Sequence, residues 1–504
     1  MDTAGIKLYS GECLKLYTDT VLEGIREERD FVGRLKQYLA GRINRVYAVS
    51  GLRGTGKTVG LLQAVRSLSQ YNSTAYILVS SECKVSCSDL RRVIEQVSGI
   101  DYIFIDEITY VENLYTGSAF LSDALCNMGK KVVISGTDSL ALVKSEESAL
   151  YHRVIMDNVT HIKYSEAERT AGLTLREYVE MGGLYRSDSI NGIEGLRRYI
   201  DTAVVNNIMN TLTKNSEITS LLNISSISRE RLRLIVFKII YAVIYLSTQK
   251  ESAVSVNMLV NLFDYSGTEY NSRLLNDIVC EQMNIDGTVI PNKSEIICVL
   301  DAMCSIGILV RIQNLANSGQ FQYYITNPSI VNQLLYAIVS IISDEELALN
   351  GRASVKGVNG KVFESIVVCH IKEIADKYGY GTYFYHDKHG READIVIRKE
   401  NMDEFGDNNQ YIVYEVKMTD DSDTAVLKSR WINDMGMLDS IACDGEIVRN
   451  AVIYRGTTKK FSGFEKDNLL PPRGSTLAET EEKNMGVELF NIKELLLNTE
   501  KFIH

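Results

Sequence analysis

The fold of this chain is decided by the stretch Val46-Tyr47-Ala48-Val49-Ser50-Gly51-Leu52-Arg53-Gly54-Thr55-Gly56-Lys57-Thr58. It begins with an apolar, valine-containing run that predicts a buried strand, and the strand ends in a glycine-rich turn. Apolar residues then recur at helical spacing, at Leu61, Leu62, Val65 and Leu68. A strand, a glycine-rich loop and a helix in this order form the context that a phosphate-binding loop (P-loop) requires. The alternative is a chance glycine-rich turn, which the flanking strand and helix disfavour.

Each residue type in this loop has a physical role in holding phosphate. Glycines let backbone N–H groups curve around a phosphate chain without Cβ clashes. Lys57 supplies a positive charge to the β- and γ-phosphates of ATP, and the Thr58 hydroxyl is a ligand for Mg²⁺. The N-terminus of the following helix adds its positive dipole. The predicted nucleotide-binding residues of the loop are Gly51, Arg53, Gly54, Thr55, Gly56, Lys57 and Thr58.

Length and composition describe a multidomain globular protein. The chain has 504 residues, which is too long for one hydrophobic core, and 45% hydrophobic and 24% charged residues are ordinary for a globular protein. No apolar run reaches the roughly 18 residues that a membrane span needs. Nine cysteines without paired spacing predict free thiols in a reducing compartment, so we expect a cytoplasmic protein.

The formal net charge of −11 excludes a general polyanion binder that works by bulk electrostatics. Contact with nucleic acid would therefore need local basic patches or bound metal ions. No internal repeat or low-complexity linker is evident, which predicts domains that pack together.

Residues 1–40 are expected to be helical, and a strand is predicted at Thr74–Val79.

A second motif completes a nucleotide site. The run Tyr102-Ile103-Phe104-Ile105-Asp106-Glu107 is a buried strand that ends in paired acids, which is the Walker B pattern. Asp106 is expected to hold Mg²⁺ and Glu107 to activate the attacking water as general base. The alternative is a core strand that meets a solvated acidic turn.

Two further candidates follow along the chain. The strand Lys131–Gly136 ends in polar residues, and Ser135 or Thr137 would orient the water or sense the phosphate. A plain turn with Asp138 or Ser139 as helix N-cap explains these residues equally well. Arg153 precedes a strand predicted at 154–162 and is a candidate arginine finger or sensor, with an ordinary surface arginine as the alternative.

The middle of the chain predicts helices followed by a hairpin. Residues 165–229 have the pattern of a small helical lid. Residues 230–345 show three helical segments and then two short strands around a loop with Ser318 and Gly319, which describes a winged helix. The presumed recognition helix, Lys293–Ile306, carries few charges, so the pattern does not favour DNA binding by this module.

A second group of polar residues lies in the third region, residues 346–504. Glu364 lies in a predicted long helix, Asp394 in the following hairpin, and Glu415 and Lys417 on one face of the next strand, since side chains repeat every two residues. Two or three carboxylates that converge with a lysine would form a Mg²⁺ site with the charge needed to hydrolyse a phosphodiester. The alternative is a hairpin with surface charge pairs.

Together these motifs resemble the archaeal-type AAA-family ATP-binding proteins, which join a P-loop ATPase to a winged helix and a C-terminal restriction-endonuclease-like domain. The matching segments extend from about residue 20 to 455 and are Gly51–Thr58, Ile103–Glu107, Ser135–Thr137, Tyr324–Pro328, Phe363–Glu364, Glu392–Asp394 and Tyr414–Lys417. The family usually has Gly-Arg where this chain has Tyr151-His152-Arg153, so only the arginine is retained.

The resemblance implies an α/β multidomain fold: N-terminal helices (1–40), a P-loop ATPase core with a parallel sheet (41–164), a helical lid (165–229), a winged helix (230–345) and a PD-(D/E)xK nuclease-like domain (346–504). It implies Glu364, Asp394 and Glu415 as ligands for Mg²⁺, or alternatively Mn²⁺, and Lys417 as catalytic lysine.

The sequence thus predicts an ATPase coupled to a nuclease that acts on DNA, in a mobile-element or defence setting. Two other functions remain open. One is an ATP-gated signalling or scaffold protein whose nuclease-like domain only binds a partner or nucleic acid. The other is a nucleotide switch with very slow hydrolysis. The sequence leaves open the choice between DNA and RNA and whether the protein forms a homo-oligomer.

Overall fold

The computed structural model describes residues 2–3, 5–80, 82–96, 99–112, 114, 120–137, 153–185, 204–214, 228–248, 255–263, 290–331, 352–400, 402–403, 406–407, 409–429, 431–463, 476 and 486–504. Several expectations from the sequence fall outside these residues: the cap residues Asp138 and Ser139, the pair Tyr151 and His152, and two parts of the predicted helical lid, 186–203 and 215–227.

An N-terminal sheet contains the P-loop strand. The strands in this part of the chain are β1 (Asp2–Thr3), β2 (Ile6–Ser10), β3 (Val46–Ser50), β4 (Thr74–Val79), β5 (Val85–Ser86), β6 (Tyr102–Asp106), β7 (Val111–Glu112), β8 (Lys131–Gly136) and β9 (Val154–Asn158). Seven of them form one sheet in the order β1-β2-β4-β6-β8-β3-β9, and β5 pairs with β7 separately. The predicted parallel sheet is therefore present, and its last strand ends four residues before the predicted end.

The strand order brings the nucleotide motifs to one edge of the sheet. Strand β3 lies between β8 and β9 and is parallel to both, and β6 is parallel to β8. Because parallel strands end at the same edge, the P-loop after β3, the acids at the end of β6 and the polar residues at the end of β8 become neighbours.

Helices cover both faces of this sheet. They are α1 (Gly11–Val21), α2 (Asp30–Ala40), α3 (Lys57–Leu68) and α4 (Cys87–Glu95), with short 3₁₀ turns at Tyr71–Ser73, Ile108–Tyr110 and Cys126–Met128 and a π-helical turn at Leu121–Leu125. The strands bury side chains on both faces: Ala48 and Ile105 belong to one apolar cluster, whereas Val49 and Phe104 belong to the other. This explains why the strands are almost continuously apolar in the sequence.

The prediction of helices throughout residues 1–40 was wrong for Asp2–Thr3 and Ile6–Ser10, which are strands. Strand β2 pairs antiparallel with β4, with Ile6 opposite Val79 and Ser10 opposite Ala75, and β1 adds a short edge strand. The local pattern is consistent with a strand, since Ile6 is buried while Lys7 is exposed. Helices α1 and α2 agree with the prediction for the rest of the segment.

A helical region connects the two sheets. Its helices are α5 (Tyr164–Ala171), α6 (Leu175–Met181), α7 (Asn206–Lys214), α8 (Arg229–Thr248), α9 (Val256–Phe263) and α10 (Lys293–Ser305). The predicted hairpin follows as β10 (Leu309–Asn314) and β11 (Phe321–Ile325), paired antiparallel.

A second, mixed sheet forms the C-terminal region. It is preceded by the long helix α11 (Arg352–Lys377), and its strands are β12 (Gly381–His386), β13 (Glu392–Lys399), β16 (Asn409–Val416), β17 (Gly445–Tyr454), β18 (Lys459–Lys460) and β19 (Glu488–Asn491), while β14 (Met402–Asp403) and β15 (Gly406–Asp407) pair only with each other. With β10 and β11 the sheet has eight strands in the order β11-β10-β12-β13-β16-β17-β19-β18.

The hairpin belongs to this second sheet, which the sequence did not predict. Strand β10 pairs parallel with β12, with Gln313 opposite Tyr383 and Asn314 opposite Phe384. The hairpin and the C-terminal strands therefore form one sheet, and the predicted domain boundary at residue 345 divides this sheet between two domains. The physical reason is long-range backbone pairing across a sheet edge, for which the hairpin sequence carries no local signal. One continuous apolar cluster joins the helical region, the hairpin and α11.

The other face of the second sheet is covered by two shorter helices, α12 (Ser422–Lys428) and α13 (Met435–Ile441), whereas α14 (Ile492–Leu497) and α15 (Thr499–Ile503) pack in the same apolar cluster as α11. Trp431 lies in the turn between α12 and α13, where it packs against the apolar cluster that these two helices share with the sheet. Among the described residues, no helix combines the length and apolar character of a membrane span.

Candidate functional sites

The P-loop leaves the carboxyl end of β3 with a backbone that only glycine adopts readily. Gly51, Gly54 and Gly56 have φ values of 153°, 84° and 74°. A Cβ atom at Gly51 would overlap the carbonyl group of Val159. Replacement of this glycine is therefore disfavoured by both conformation and space.

Lys57 begins helix α3 and folds back over the loop. Its Nζ donates to the carbonyl oxygens of Gly51, at 2.7 Å, and Leu52, at 2.9 Å. Burial lowers the pKa of Lys57, and the neighbouring charges of Glu107 and Asp106 act in the opposite direction. The ammonium group thus lies inside the loop, where it can meet a phosphate.

Thr58 and Asp106 form an oxygen-rich pair beside the loop. Thr58 Oγ1 donates to Asp106 Oδ2 at 2.7 Å, and Asp106 is fully buried. The same carboxylate accepts hydrogen bonds from Tyr76 Oη, at 2.7 Å, and from Ser135 Oγ. A hydroxyl and a carboxylate side by side are ligands that suit Mg²⁺, so the residues present fit the ion that accompanies ATP.

Glu107 follows Asp106 in an unusual backbone conformation, with φ of 59°. Its carboxylate accepts a hydrogen bond from Thr137 Oγ1 at 3.0 Å, and its N–H lies 3.3 Å from Ser135 Oγ. Burial raises the pKa of Glu107, which Lys57 partly counteracts. Both candidates from strand β8, Ser135 and Thr137, therefore contact the Walker B acids directly.

Arg153 is not brought to this site. It precedes β9, so it lies at the amino ends of the parallel strands, whereas the P-loop follows their carboxyl ends. Five residues of strand, about 15 Å, separate the two edges. The strand order therefore does not favour a sensor role within the same chain, and both the sensor role and an arginine finger supplied to a second copy stay predictions. Arg53 lies exposed in the P-loop itself.

The C-terminal residues Asp394, Glu415 and Lys417 meet where β13 begins and β16 ends. Lys417 Nζ lies 2.5 Å from Glu415 Oε2 and 3.6 Å from Asp394 Oδ2. Asp394 Oδ2 also accepts the backbone N–H of Val416 at 2.7 Å. The predicted convergence of two carboxylates and a lysine is therefore present in the structure.

Glu364 approaches the same place from helix α11. It is buried, and its Oε1 accepts a hydrogen bond from Tyr324 Oη at 3.1 Å. Burial and then the charges of Glu364 and Asp394 raise the pKa of Tyr324 well above its ordinary value, so the phenol stays a hydrogen-bond donor. Tyr324, on β11, was part of a matching motif in the sequence but had no predicted role.

The charges of this cluster influence one another, and a nearby positive charge stabilises its carboxylates. Burial, followed by the charge of Asp394, raises the pKa of Glu415 well above its ordinary range. Burial opposes the charge on Lys417, but Asp394 and Glu415 raise its pKa overall. The carboxylates of Glu364, Asp394 and Glu415 are oxygen ligands that suit a divalent metal ion, whereas the protonated Lys417 is not a ligand. Across the described residues, however, no three His, Cys, Asp or Glu side chains are arranged as a complete metal-binding group.

Comparison with known families agrees with the two-part organisation. Residues 43–168 match the family model described as AAA domain. The chain carries an AAA-type ATPase domain. Residues 359–464 match the model described as Domain of unknown function (DUF4143), and this match contains Glu364, Asp394, Glu415 and Lys417. No curated protein matches the sequence.

Solved structures show only distant similarity. The chain is similar to Cdc6p from Pyrobaculum aerophilum, with 13% identity, 65% of this chain and 98% of that chain covered and a TM-score of 0.26. It is also similar to the Orc1 protein of Aeropyrum pernix in complex with DNA, with 12% identity, 63% of this chain and 92% of that chain covered and a TM-score of 0.25. PCH-2 of C. elegans is 15% identical, with 43% of this chain and 72% of that chain covered and a TM-score of 0.23. These scores are too low to support an inference about function.

Two residues at the AAA nucleotide site were missed by the sequence analysis. The Arg29 guanidinium donates to the carbonyl oxygen of Thr55 and pairs with Glu166. The N–H of Tyr185 donates to the carbonyl oxygen of Gly54 at 2.7 Å. Both lie far from the P-loop in sequence and outside any motif, so no local signal could have identified them.

Proposed function

We propose that this protein is an AAA-type ATPase coupled to a metal-dependent nuclease that acts on DNA, as in mobile-element or defence processes. The convergence of Asp394, Glu415 and Lys417, with Glu364 beside them, carries the nuclease part of the proposal. These residues come from one helix and two strands and meet at one edge of the second sheet. Ordinary surface charge pairs would not bury Glu364 and Glu415, which supports a functional site.

On the ATPase side, each side chain has a role that its position supports. Lys57 neutralises phosphate charge, and Thr58 and Asp106 supply oxygen ligands for Mg²⁺. Glu107 acts as general base toward water, and Thr137 fixes its carboxylate through the 3.0 Å hydrogen bond. Ser135 Oγ donates a hydrogen bond to the Asp106 carboxylate and accepts one from the Glu107 N–H, so it holds the two acids side by side.

On the nuclease side, a bound divalent cation would supply activation of water and neutralisation of phosphate charge. Asp394, Glu415 and Glu364 would hold it. Lys417 lies within reach of both Asp394 and Glu415 and would release Glu415 to stabilise charge on the phosphate. Tyr324 orients Glu364 through its hydroxyl group.

A cleft near these residues, lined in part by polar and basic side chains, supports a nucleic-acid substrate. It has a volume of about 600 Å³ and is lined by the β10–β11 loop and the β12–β13 turn, including Asn317, His386, Lys388, His389 and Arg391. Strands β10 and β12 end, and β13 begins, at the edge where β16 ends. Three strand residues, about 10 Å, separate Arg391 from Asp394. A phosphate backbone in this cleft would extend to the candidate catalytic residues.

The proposal is tested with the purified full-length chain, labelled duplex and single-stranded DNA, and Mg²⁺ or Mn²⁺. We expect metal-dependent cleavage that Lys417→Ala and Asp394→Asn reduce about 10²-fold or more, since both remove a group from the reacting centre. Lys428→Ala, an exposed lysine on α12, is the matched control and should cleave normally. Equal cleavage by Lys417→Ala and the unmodified protein would disprove the assignment.

A non-catalytic alternative is favoured by two observations. Lys417 already pairs with Glu415 at 2.5 Å, and a complete three-ligand metal group is absent from the described residues. An ATP-gated signalling or scaffold protein would use this region only to bind a partner or nucleic acid. Such a protein would bind DNA without cutting it under any metal condition, and Lys417→Ala would leave binding unchanged.

A further inference from the structure

The backbone of the P-loop is held by the two residues that no motif predicts. Arg29 donates to the Thr55 carbonyl group and Tyr185 donates to the Gly54 carbonyl group. A Cβ atom at Gly56 would overlap the Arg29 guanidinium, so the contact is close. Any displacement of Gly54–Gly56 must therefore move these two residues or break their hydrogen bonds.

Arg29 connects the loop to helix α5. Its side chain is almost completely buried and pairs with Glu166 through Nε with Oε1 and Nη2 with Oε2, the latter at 3.4 Å. Glu166 also accepts the backbone N–H of Asp30 at 3.0 Å. A buried guanidinium that loses such a partner is left uncompensated, so the pair and the loop should move together.

Helix α5 in turn contacts the C-terminal region. The N–H of Tyr164 donates to His370 Nε2 at 3.1 Å, and Lys163 Nζ lies 2.7 Å from Glu373 Oε1. Lys493 Nζ lies 2.9 Å from Glu168 Oε1. His370 and Glu373 both belong to α11, so the first turn of α5 is attached directly to that helix.

A second set of contacts starts at Tyr185. The N–H of Ser329 lies 3.3 Å from the carbonyl oxygen of Gly182. Gly183 lies so close to Asn327 that a Cβ atom would overlap its side-chain amide. Asn327 follows strand β11, which carries Tyr324 and its hydrogen bond to Glu364. This set therefore ends at the same carboxylate.

Helix α11 contains both Glu373, which pairs with Lys163 beside α5, and Glu364, which lies at the candidate nuclease site. Glu364 and Glu373 are nine positions apart on it (373 − 364 = 9). At 1.5 Å per residue this is about 13 Å of continuous helix, which moves as a nearly rigid unit. Displacement of α11 at His370 and Glu373 would consequently shift Glu364.

We infer that the nucleotide state of the P-loop sets the position of Glu364, with Arg29 and Glu166 as positioning residues. Lys57 now binds the Gly51 and Leu52 carbonyl groups. The phosphates of ATP compete for this ammonium group and for the loop N–H groups, and the resulting change in the loop reaches α11 through α5 and β11. The inference rests on the proposed function only for the role of Glu364 in cleavage.

The test measures hydrogen–deuterium exchange in the full-length protein without DNA, with and without saturating ATP analogue and Mg²⁺. We expect the nucleotide to change exchange in residues 360–377 about threefold or more. Glu166→Gln and Arg29→Lys should lose most of this change at saturating nucleotide. Two variants are used so that a folding defect in one leaves the other informative. Arg176→Ala, which removes an exposed ion pair on α6, is the matched control.

Three results would overturn the inference: no response of residues 360–377 in the unmodified protein, a full response in both Glu166→Gln and Arg29→Lys, or an equal loss in Arg176→Ala. None of them depends on cleavage. Absence of cleavage with an intact exchange response would instead contradict the nuclease proposal and leave the coupling in place.

Discussion

At the level of single residues, Glu107 combines a left-handed backbone, partial burial and a carboxylate held by Thr137. Non-glycine residues in this conformation are strained and occur often at functional sites. We predict that Glu107→Gln lowers the turnover of ATP about 10²-fold or more while nucleotide still binds, because an amide cannot accept the proton of water. Steady-state ATPase assays and nucleotide titrations measure the two effects separately.

The matched control for this prediction is Glu112→Gln, whose side chain is exposed on β7. It should hydrolyse ATP at the unmodified rate. Nearly unchanged turnover in Glu107→Gln would contradict the general-base role and would favour a nucleotide switch with very slow hydrolysis.

Tyr324 presents a second test at this scale. Its hydroxyl lies between Gln322 and Glu364, 3.1 Å from the glutamate, and the residue is buried. We predict that Tyr324→Phe reduces metal-dependent DNA cleavage about tenfold, because Glu364 loses the donor that orients it. The ATPase rate should stay unchanged. Tyr323→Phe, the adjacent position on β11, is the control, and equal effects of both variants would argue against a specific orienting role.

At the level of secondary-structure elements, Asn314 explains how the hairpin attaches to the second sheet. Its buried amide donates to the His386 carbonyl oxygen at 2.8 Å and accepts the His386 N–H at 3.2 Å. We predict that Asn314→Ala lowers the free energy of unfolding by about 1–3 kcal/mol, since the partly buried backbone groups of His386 lose their partner. Urea unfolding measures the change.

Asn317→Ala, an exposed residue in the same loop, should leave the urea midpoint within error. If Asn314→Ala unfolds like Asn317→Ala, the side-chain hydrogen bonds do not hold the hairpin, and the β10–β12 backbone pairing alone must account for the attachment.

Most elements were predictable because their signals are local. The apolar runs at β3, β6 and β8 and the helical spacing in α3 and α10 depend on neighbouring residues only. Strand β2 was missed because its short alternation competes with charged residues that also suit a helix. The pairing of β10 with β12 was missed because it joins residues about 70 positions apart through backbone groups, which carry no sequence information.

At the level of the whole molecule, two histidines lie between the ATPase and C-terminal regions. The rings of His161 and His370 pack edge to face, with their centroids 5.3 Å apart, beside the Lys163–Glu373 ion pair. Burial lowers the pKa of His161 to about 4 and that of His370 to about 3. The unfolded chain, with histidine pKa near 6.5, therefore binds more protons than the folded chain below that pH.

Stability should consequently be complete above about pH 6.5 and fall as the pH is lowered toward about 4, by up to about 1.4 kcal/mol per pH unit for each histidine. We predict that His370→Gln makes this dependence shallower. Thermal unfolding of both proteins from pH 7.5 to 4.5 measures it, and carboxylates that titrate in both proteins cancel in the comparison. Parallel profiles would show that His370 is not neutral in the folded protein.

The cleft lined by the β10–β11 loop and the β12–β13 turn permits a prediction on DNA binding. Lys388 and His389 are exposed at the β12–β13 turn. We predict that Lys388→Glu combined with His389→Glu weakens DNA binding about tenfold and reduces its salt dependence, because phosphate contacts are lost. Fluorescence anisotropy without divalent metal measures binding without cleavage, and an RNA of equal length tests the choice of nucleic acid.

Lys459→Glu with Lys460→Glu is the control for this reversal of charge, since both lysines are exposed on β18. That strand is five positions from β12 in the sheet, roughly 24 Å at the usual strand spacing. Equal weakening by both pairs would indicate a response to net charge and would exclude a specific role for the cleft.

The amino-acid sequence by itself determined the P-loop, the Walker B acids and the order Glu364, Asp394, Glu415 and Lys417, because each depends on residue type and short spacing. Only the tertiary structure decided that Arg153 lies at the wrong edge of the sheet, that the hairpin belongs to the second sheet, and that Arg29, Tyr185 and Tyr324 contact the two sites. These outcomes depend on which strands become neighbours and on backbone hydrogen bonds between distant segments, and neither leaves a pattern in the local sequence.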